Sequence, residues 1–288
     1  MTTADPGVAP AFGTAATRPA PSVLRTNLNL TRELSITAFK LKYTGSALGY
    51  VWSLLNPLLL FSMMYVVFDK LLGAGAGTTR FPMQLLVGIV LWTFFVDAVG
   101  GAMGSIVGAS DLIRKAYFPR IILVFASTIT ASMTFLINIS LLVVVGAISL
   151  AIGHPLLDLR WASLAIVLVV AEMYLFILGV GLLLASLNVA YRDMGHLWTI
   201  GSQALFFGSA VMYPITLKPK YAKLLALNPI AQMVNDARHL LVIGSVPSTY
   251  TLVGGGPRLL VPVLIAPALA VIGYIVFKRR APMFAETM

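Results

Sequence analysis

Val51–Phe68, Ile121–Ile152 and Leu259–Phe277 each run for eighteen residues or more without a charged side chain. A helix rises about 1.5 Å per residue and the hydrocarbon core of a bilayer is about 30 Å thick, so each run is long enough to cross a membrane. The composition agrees. Of the 288 residues 59% are hydrophobic and 10% charged, with a mean hydropathy of +0.92. A soluble domain is ordinarily about 25% charged, because its surface must face water. These features define an all-α, polytopic membrane protein.

Reading apolar runs against the spanning length places six transmembrane helices, at roughly 50–69, 81–107, 119–152, 161–190, 194–214 and 259–277. The third is longer than one crossing and is expected to tilt or project from the bilayer. Residues 215–257 behave differently. Their apolar pieces, Leu224–Val234 and Leu240–Val246, are interrupted by Pro229, Asp236, Arg238 and Pro247. Pieces that short point to a re-entrant or interfacial segment before the last helix. Residues 1–22 are rich in Pro, Ala, Gly and Thr and read as a disordered tail. Residues 23–288 form a single transmembrane domain.

Amphipathic pieces flank the spans. Leu30, Leu34, Ala38 and Leu41 share one helical face, with Arg32, Glu33, Lys40 and Lys42 elsewhere on the wheel. A helix over 23–45 lying in the membrane interface follows. Ser110 and Asp111 can cap a short helix whose Leu112, Ile113, Ala116 and Tyr117 form an apolar knob beside Arg114 and Lys115, ending near Pro119. If the N-terminus is cytoplasmic, twelve Lys and Arg fall on inner segments and eight on outer ones. Setting aside the four within 215–257 leaves twelve against four, the bias expected with both termini in the cytoplasm.

The net charge of +10 is spread between apolar runs rather than gathered in a patch. It therefore marks membrane flanks, with lipid as the partner and not nucleic acid. There is no Gly-Lys-Ser/Thr and so no P-loop. The three histidines share no ligand spacing, and the ten acidic residues do not cluster. No metal site and no enzymatic centre is expected. Asp97 and Glu172 fall within spans and are functional candidates at membrane depth, or polar groups packed between helices. Gly100-x-x-x-Gly104-x-x-x-Gly108 would let another backbone approach, placing Asp97 between helices. Trp92, Phe94, Phe95, Tyr174, Phe176, Phe206 and Tyr213 are candidates to line a channel for sugars, or anchor and pack the helices.

Several local patterns resemble the permease family of ABC-type polysaccharide and polyol-phosphate exporters, which move lipid-linked O-antigen, teichoic acid and galactan. Lys40-Leu41-Lys42-Tyr43-Thr44, followed by Ala47-Leu48-Gly49-Tyr50-Val51-Trp52 and Asn56-Pro57, is similar to that family's approach to its first span. Asp111-Leu112-Ile113-Arg114-Lys115 with Phe118-Pro119-Arg120 resembles its first cytoplasmic loop, and Leu187-Asn188-Val189-Ala190-Tyr191-Arg192-Asp193-Met194 its second. Tyr213-Pro214, Leu227-Asn228-Pro229 and Phe284-Ala285-Glu286 continue the likeness. The proline that the family often has before the Tyr-Pro pair is replaced by Gly208-Ser209-Ala210, so a kink in the fifth helix would come from Gly208 or be absent.

The resemblance implies a homodimer in a bacterial inner membrane, bound to two copies of a separate ABC ATPase that carries ATP and Mg²⁺. It would export a polysaccharide carried on a polyprenyl diphosphate, with galactan exporters of mycobacterial cell walls the nearest likeness. Ser110, Asp111, Leu112, Ile113, Arg114, Lys115, Ala116 and Tyr117 would dock the ATPase. Lys40, Lys42 and Arg120 would hold the lipid diphosphate, unless they simply attract anionic lipid. An ion-coupled secondary transporter or lipid flippase is the alternative. It calls for an internal repeat and paired intramembrane charges, and neither is evident.

Overall fold

The computed structural model describes residues 23–284 apart from 47, 74–79, 116, 158–159, 192, 218, 243–245, 256–257 and 259. The expected tail over 1–22 and the Ala285-Glu286 part of the C-terminal pattern lie outside the described residues. Those described form a helical membrane protein with no β-strand among them.

Five helices are long and apolar enough to cross a bilayer. They are α2 (Val51–Tyr65, continuing as a π-helix over Val66–Leu71), α3 (Phe81–Gly108), α5 (Ile121–Ala151), α6 (Ile166–Ala190, preceded by a 3₁₀ turn over Trp161–Ala165) and α11 (Leu260–Arg280). The expected fifth span, 194–214, is helical only over α7 (Met194–Gly208). Fifteen residues cover about 22 Å, short of the hydrocarbon thickness. The helix does not kink at Gly208; it ends there. Ala210 then adopts a left-handed φ of 52°, a conformation an α-helix cannot carry.

α3 is the central helix. It is apolar on every face, as a helix surrounded by protein must be, and 72% of its apolar centre is buried, against 11% for α2. The core around α3 joins Phe81, Leu85, Ile89, Phe95 and Val99 to residues of α5, α6 and α9 (Pro229–Leu241). α6 and α11 meet backbone to backbone: a Cβ added at Gly179 would lie 2.5 Å from the carbonyl carbon of Leu269, and one at Gly273 would strike the carbonyl oxygen of Gly179. This is the close small-residue contact of the fold. Of the stripe expected to play that part, Gly104 and Gly108 face open space and Gly100 meets the Trp198 side chain, 3.4 Å from where its Cβ would be, rather than another backbone.

α1 (Val23–Tyr43) packs along α5. Thr130 Oγ1 donates to the Ser35 carbonyl at 3.2 Å, and the Tyr43 and Thr134 hydroxyls lie 3.3 Å apart. The face turned to the protein is therefore a mixed one carrying Leu34, Ser35 and Tyr43, while Ala38 and Leu41 are exposed. With 31 residues, α5 is about 46 Å long. Leu34 of α1 packs in the cluster that holds Leu123 near the start of α5 and Ile113 of α4 (Ser110–Lys115).

Residues 215–257 fold as α8 (Pro219–Leu225), α9 and α10 (Thr249–Leu252). The two apolar pieces read from the sequence are not separate elements. Asn228 caps one continuous helix by accepting from the Ile230 N–H at 3.0 Å, Pro229 sits where a helix start tolerates proline, and α9 runs unbroken past Asp236 and Arg238.

Candidate functional site

Functional side chains gather at three places along the bundle. The first is at the α4 end. The Ala109 carbonyl accepts from Leu112 and Ile113, so the capping position is Ala109 rather than the expected Ser110, which is the first residue of α4; the helix stops at Lys115. Asp111, Leu112, Arg114 and Lys115 are exposed, whereas Ile113 turns inward against the cluster of Ile106, Leu123 and Phe284. Ala116 lies outside the described residues. Tyr117 is beyond the helix and fully exposed. The apolar knob is thus Leu112 with Tyr117, because a six-residue helix cannot put 113 and 117 on the same outward face. Behind it a cavity of about 460 Å³ is lined in part by Tyr117, Arg120 and Lys278. The Arg120 guanidinium lies over the Phe284 ring at 6.0 Å and donates to the Pro282 carbonyl at 3.5 Å. Phe284 itself packs edge-on against Phe277, tying the chain's last described turn to this loop.

The second place lies where α1, α2, α3 and α5 converge. Lys42 Nζ is 3.6 Å from Asp97 Oδ2, and both side chains keep part of their surface exposed. Asp97 is therefore not the buried inter-helix residue that the glycine stripe suggested. It faces a cavity of about 320 Å³ that also meets Trp52, Asn56, Thr93 and Asn138. Since Tyr43 is level with Thr134, Lys42 sits roughly 20 Å along α5 from Arg120. The three cations expected to share one diphosphate, Lys40, Lys42 and Arg120, are not brought together. Lys40 is exposed on α1, Lys42 is held by Asp97, and Arg120 belongs to the α4 end.

The third place is at the Phe81 end of α3, and no pattern along the chain points to its centre. Arg238 is 1% exposed. Its Nε donates to the Gln84 carbonyl at 2.8 Å, its Nη1 to Ala210 at 2.9 Å and Tyr213 at 3.2 Å, and its Nη2 to Val211. One guanidinium thereby satisfies the carbonyls freed where α7 ends. Burial pushes it down to about 9, which still leaves it protonated at neutral pH. Beside it the Gln232 amide donates to Asp236 Oδ2 at 2.9 Å and Glu172 Oε2 at 3.4 Å, and Asp236 Oδ1 accepts from the Thr249 N–H. Glu172 thus joins α6 to α9 through an amide rather than standing alone in a span.

Of the aromatic rings expected to line a channel, Trp92, Phe94, Phe95, Phe176 and Phe206 are buried in the core. They stack on one another and on neighbours: Phe95 lies 5.5 Å from Trp92 and 5.8 Å from Phe176, Trp92 is 5.3 Å from Phe206, and Phe94 is 4.4 Å from Phe135. Aromatic packing inside the helix bundle, not access to a pore, accounts for them. Tyr174 and Tyr213 are half-buried, the first with its hydroxyl 3.1 Å from Thr128, the second donating to the Phe207 carbonyl.

The family model of the ABC-2 type transporter matches residues 29–242, from α1 through the end of α9. The chain belongs to that family. The region matched contains the Lys42–Asp97 pair, α4 with Arg120, and Arg238, while Thr249, Phe277, Lys278 and Phe284 lie beyond it; an ABC-2 transporter of this kind is a multi-pass membrane protein. Among its relatives are O-antigen export system permease proteins RfbA. The one from Myxococcus xanthus is 30% identical over 203 residues, covering 68% of this chain and 74% of its own length. One from Klebsiella pneumoniae is 26% identical over 250 residues, covering 86% and 91%. The polysialic acid transport protein KpsM of Escherichia coli is 22% identical over 216 residues, covering 73% and 80%.

Proposed function

We propose that this ABC-2 transporter is the permease of a cell-surface polysaccharide exporter. The observation that carries the reading is the run of relatives named for O-antigen and polysialic acid export, aligned over most of both chains. The sequence lacks a P-loop, so the energy comes from ATP and Mg²⁺ held by a separate ATPase. Two copies of the permease pair with two of that ATPase in the bacterial inner membrane, with both termini in the cytoplasm. The uncovered surface of α2, whose apolar centre is 11% buried, supports pairing with a second copy. The exposed Leu112 and Tyr117, flanked by Arg114 and Lys115, support ATPase docking at α4. The cargo is a polyprenyl-diphosphate-linked polysaccharide of the galactan or O-antigen kind. Its diphosphate is met at the cytoplasmic face by Arg120 and Lys278, which line one cavity, with Lys40 contributing to the attraction of anionic head groups.

The test is complementation. In a strain lacking the chain, polymer should build up on its lipid carrier inside the cell, and the cloned chain together with its ATPase should return it to the surface. Unchanged surface polymer after deletion would refute the proposal.

A further inference from the structure

The cavity at the Lys42–Asp97 pair is out of character for a chain with so few charges. Its wall combines an ammonium, a carboxylate, two amides, five hydroxyls and an indole, whereas the cavity of about 590 Å³ between α3, α5, α6 and α9 is walled almost wholly by hydrocarbon. Polar groups near membrane depth stay polar for a reason: each must find a partner or a ligand. Asn138 makes the point most directly. It is 3% exposed, it lines this cavity, and its Oδ1 carbonyl has no hydrogen-bond partner.

The charges decide what kind of ligand fits. Lys42 is matched by Asp97 at 3.6 Å, so the wall is close to neutral, and a diphosphate would meet a carboxylate as well as an ammonium. Because the pair is only partly covered, both groups keep hydrogen-bonding capacity to spare: the ammonium donates and the carboxylate accepts. Trp52, 49% exposed, adds a flat apolar face from α2. A partner that suits donor, acceptor and flat face together has several hydroxyls on one side of a ring and C–H bonds on the other. At about 320 Å³ the space is at the small end of ligand pockets, which run from about 300 to 1,000 Å³.

We infer that this cavity is a subsite for one neutral sugar unit of the exported polymer, held by hydroxyl contacts to Lys42, Asp97 and Asn138 and by stacking on Trp52. The inference rests on the polysaccharide-export reading and adds to it the place and chemistry of a contact with the cargo. It separates two tasks: the neutral glycan is gripped where α1, α2, α3 and α5 meet, away from the cations at the α4 end.

The permease–ATPase complex in nanodiscs, probed with galactotetraose by saturation-transfer NMR, tests it alongside export in the complemented strain. Trp52→Leu and Asp97→Asn should each lower the sugar signal and surface polymer about tenfold, the loss that follows removal of one strong ligand contact. Trp52→Tyr, which keeps an aromatic face, should retain both. Melting temperature and ATPase co-purification should match wild type for all three. If Asp97→Asn does not accumulate in the membrane, the Trp52 pair decides alone, since that indole is half exposed. Sugar signal and export at wild-type level in Trp52→Leu would overturn the subsite, as would Trp52→Tyr failing as badly as Trp52→Leu. Pyrophosphate displacing the sugar in wild type, and more strongly in Asp97→Asn, would also overturn it, by showing an anion site at Lys42. A wild-type chain that restores no surface polymer refutes the export function itself; a wild type that exports, beside a Trp52→Leu that exports equally, refutes only the subsite.

Discussion

Replacing Arg238 by methionine removes every donor from the centre of the Phe81 end while keeping an unbranched side chain of similar reach. Three loop carbonyls, those of Ala210, Val211 and Tyr213, then lose their partner, and the Gln84 carbonyl loses its second donor while keeping its bond within α3. A buried acceptor left empty costs about 1–3 kcal/mol, so the three set a ceiling of roughly 3–9 kcal/mol. Two effects reduce it. The variant no longer desolvates a guanidinium, and Tyr213 is only half-buried, so water can reach its carbonyl. A net loss of about 3 kcal/mol remains, which for a chain of this size lowers the melting temperature by about 6–12 °C. Intrinsic fluorescence during thermal unfolding of the purified protein in detergent reads this directly. Arg238→Lys should fall between the two, because an ammonium has three donors and cannot reproduce the planar fork. Gly88→Ala attacks the same contact from the other side, since its Cβ would lie 2.6 Å from Arg238 Nη2 and 2.7 Å from the Val211 carbonyl. The double variant Gly88→Ala with Arg238→Met should lose less than the sum of the singles, as residues sharing one contact do not act independently. A methionine variant that melts within about 2 °C of wild type would show that the loop after α7 is held by something else.

Three further outcomes follow from other parts of the fold. Leu112→Asp, on the exposed side of α4, should cut co-purification of the ATPase about tenfold (~1.4 kcal/mol) without lowering the melting temperature, whereas Ile113→Asp should destabilise the permease itself; full ATPase recovery with Leu112→Asp would move the docking surface elsewhere. Gly179→Leu must push α6 from the backbone of α11 and should cost about 2–3 kcal/mol; an unaltered melting curve would disprove the close approach. In this cysteine-free chain, a single cysteine at Ser248 should react with an impermeant maleimide in intact cells and one at Arg280 should not; labelling at 280 would place the C-terminus outside.

Much of the architecture is legible along the chain because it depends on local periodicity. Apolar runs long enough to cross a bilayer place α2, α3, α5, α6 and α11 even with Asp97 and Glu172 inside two of them, although the apolar run over 194–214 is helical only as far as Gly208. Asn228-Pro229 marks a helix start by its own chemistry, a capping side chain followed by a residue without an N–H. The family patterns are likewise read from neighbouring residues, and the match over 29–242 agrees with them.

What only the tertiary structure decided is which polar groups meet. Asp97 looked buried because glycines follow it at four-residue spacing, yet close approach needs a partner helix, and α6 offers its glycine to α11 instead. Arg238 looked like an interruption between two apolar pieces. Its role depends on carbonyls at 84 and 210–213, and no pattern within α9 records where those carbonyls will be. The aromatic rings were ambiguous for the same reason. A ring on a membrane helix is equally compatible with core, lipid and pore until its neighbours are known, and here the rings of α3, α6 and α7 found one another. Hydropathy sets how many helices can cross and how long they are. The pairing of Lys42 with Asp97, of Gln232 with Glu172 and of Arg238 with four carbonyls is long-range, and it was settled only when the helices packed.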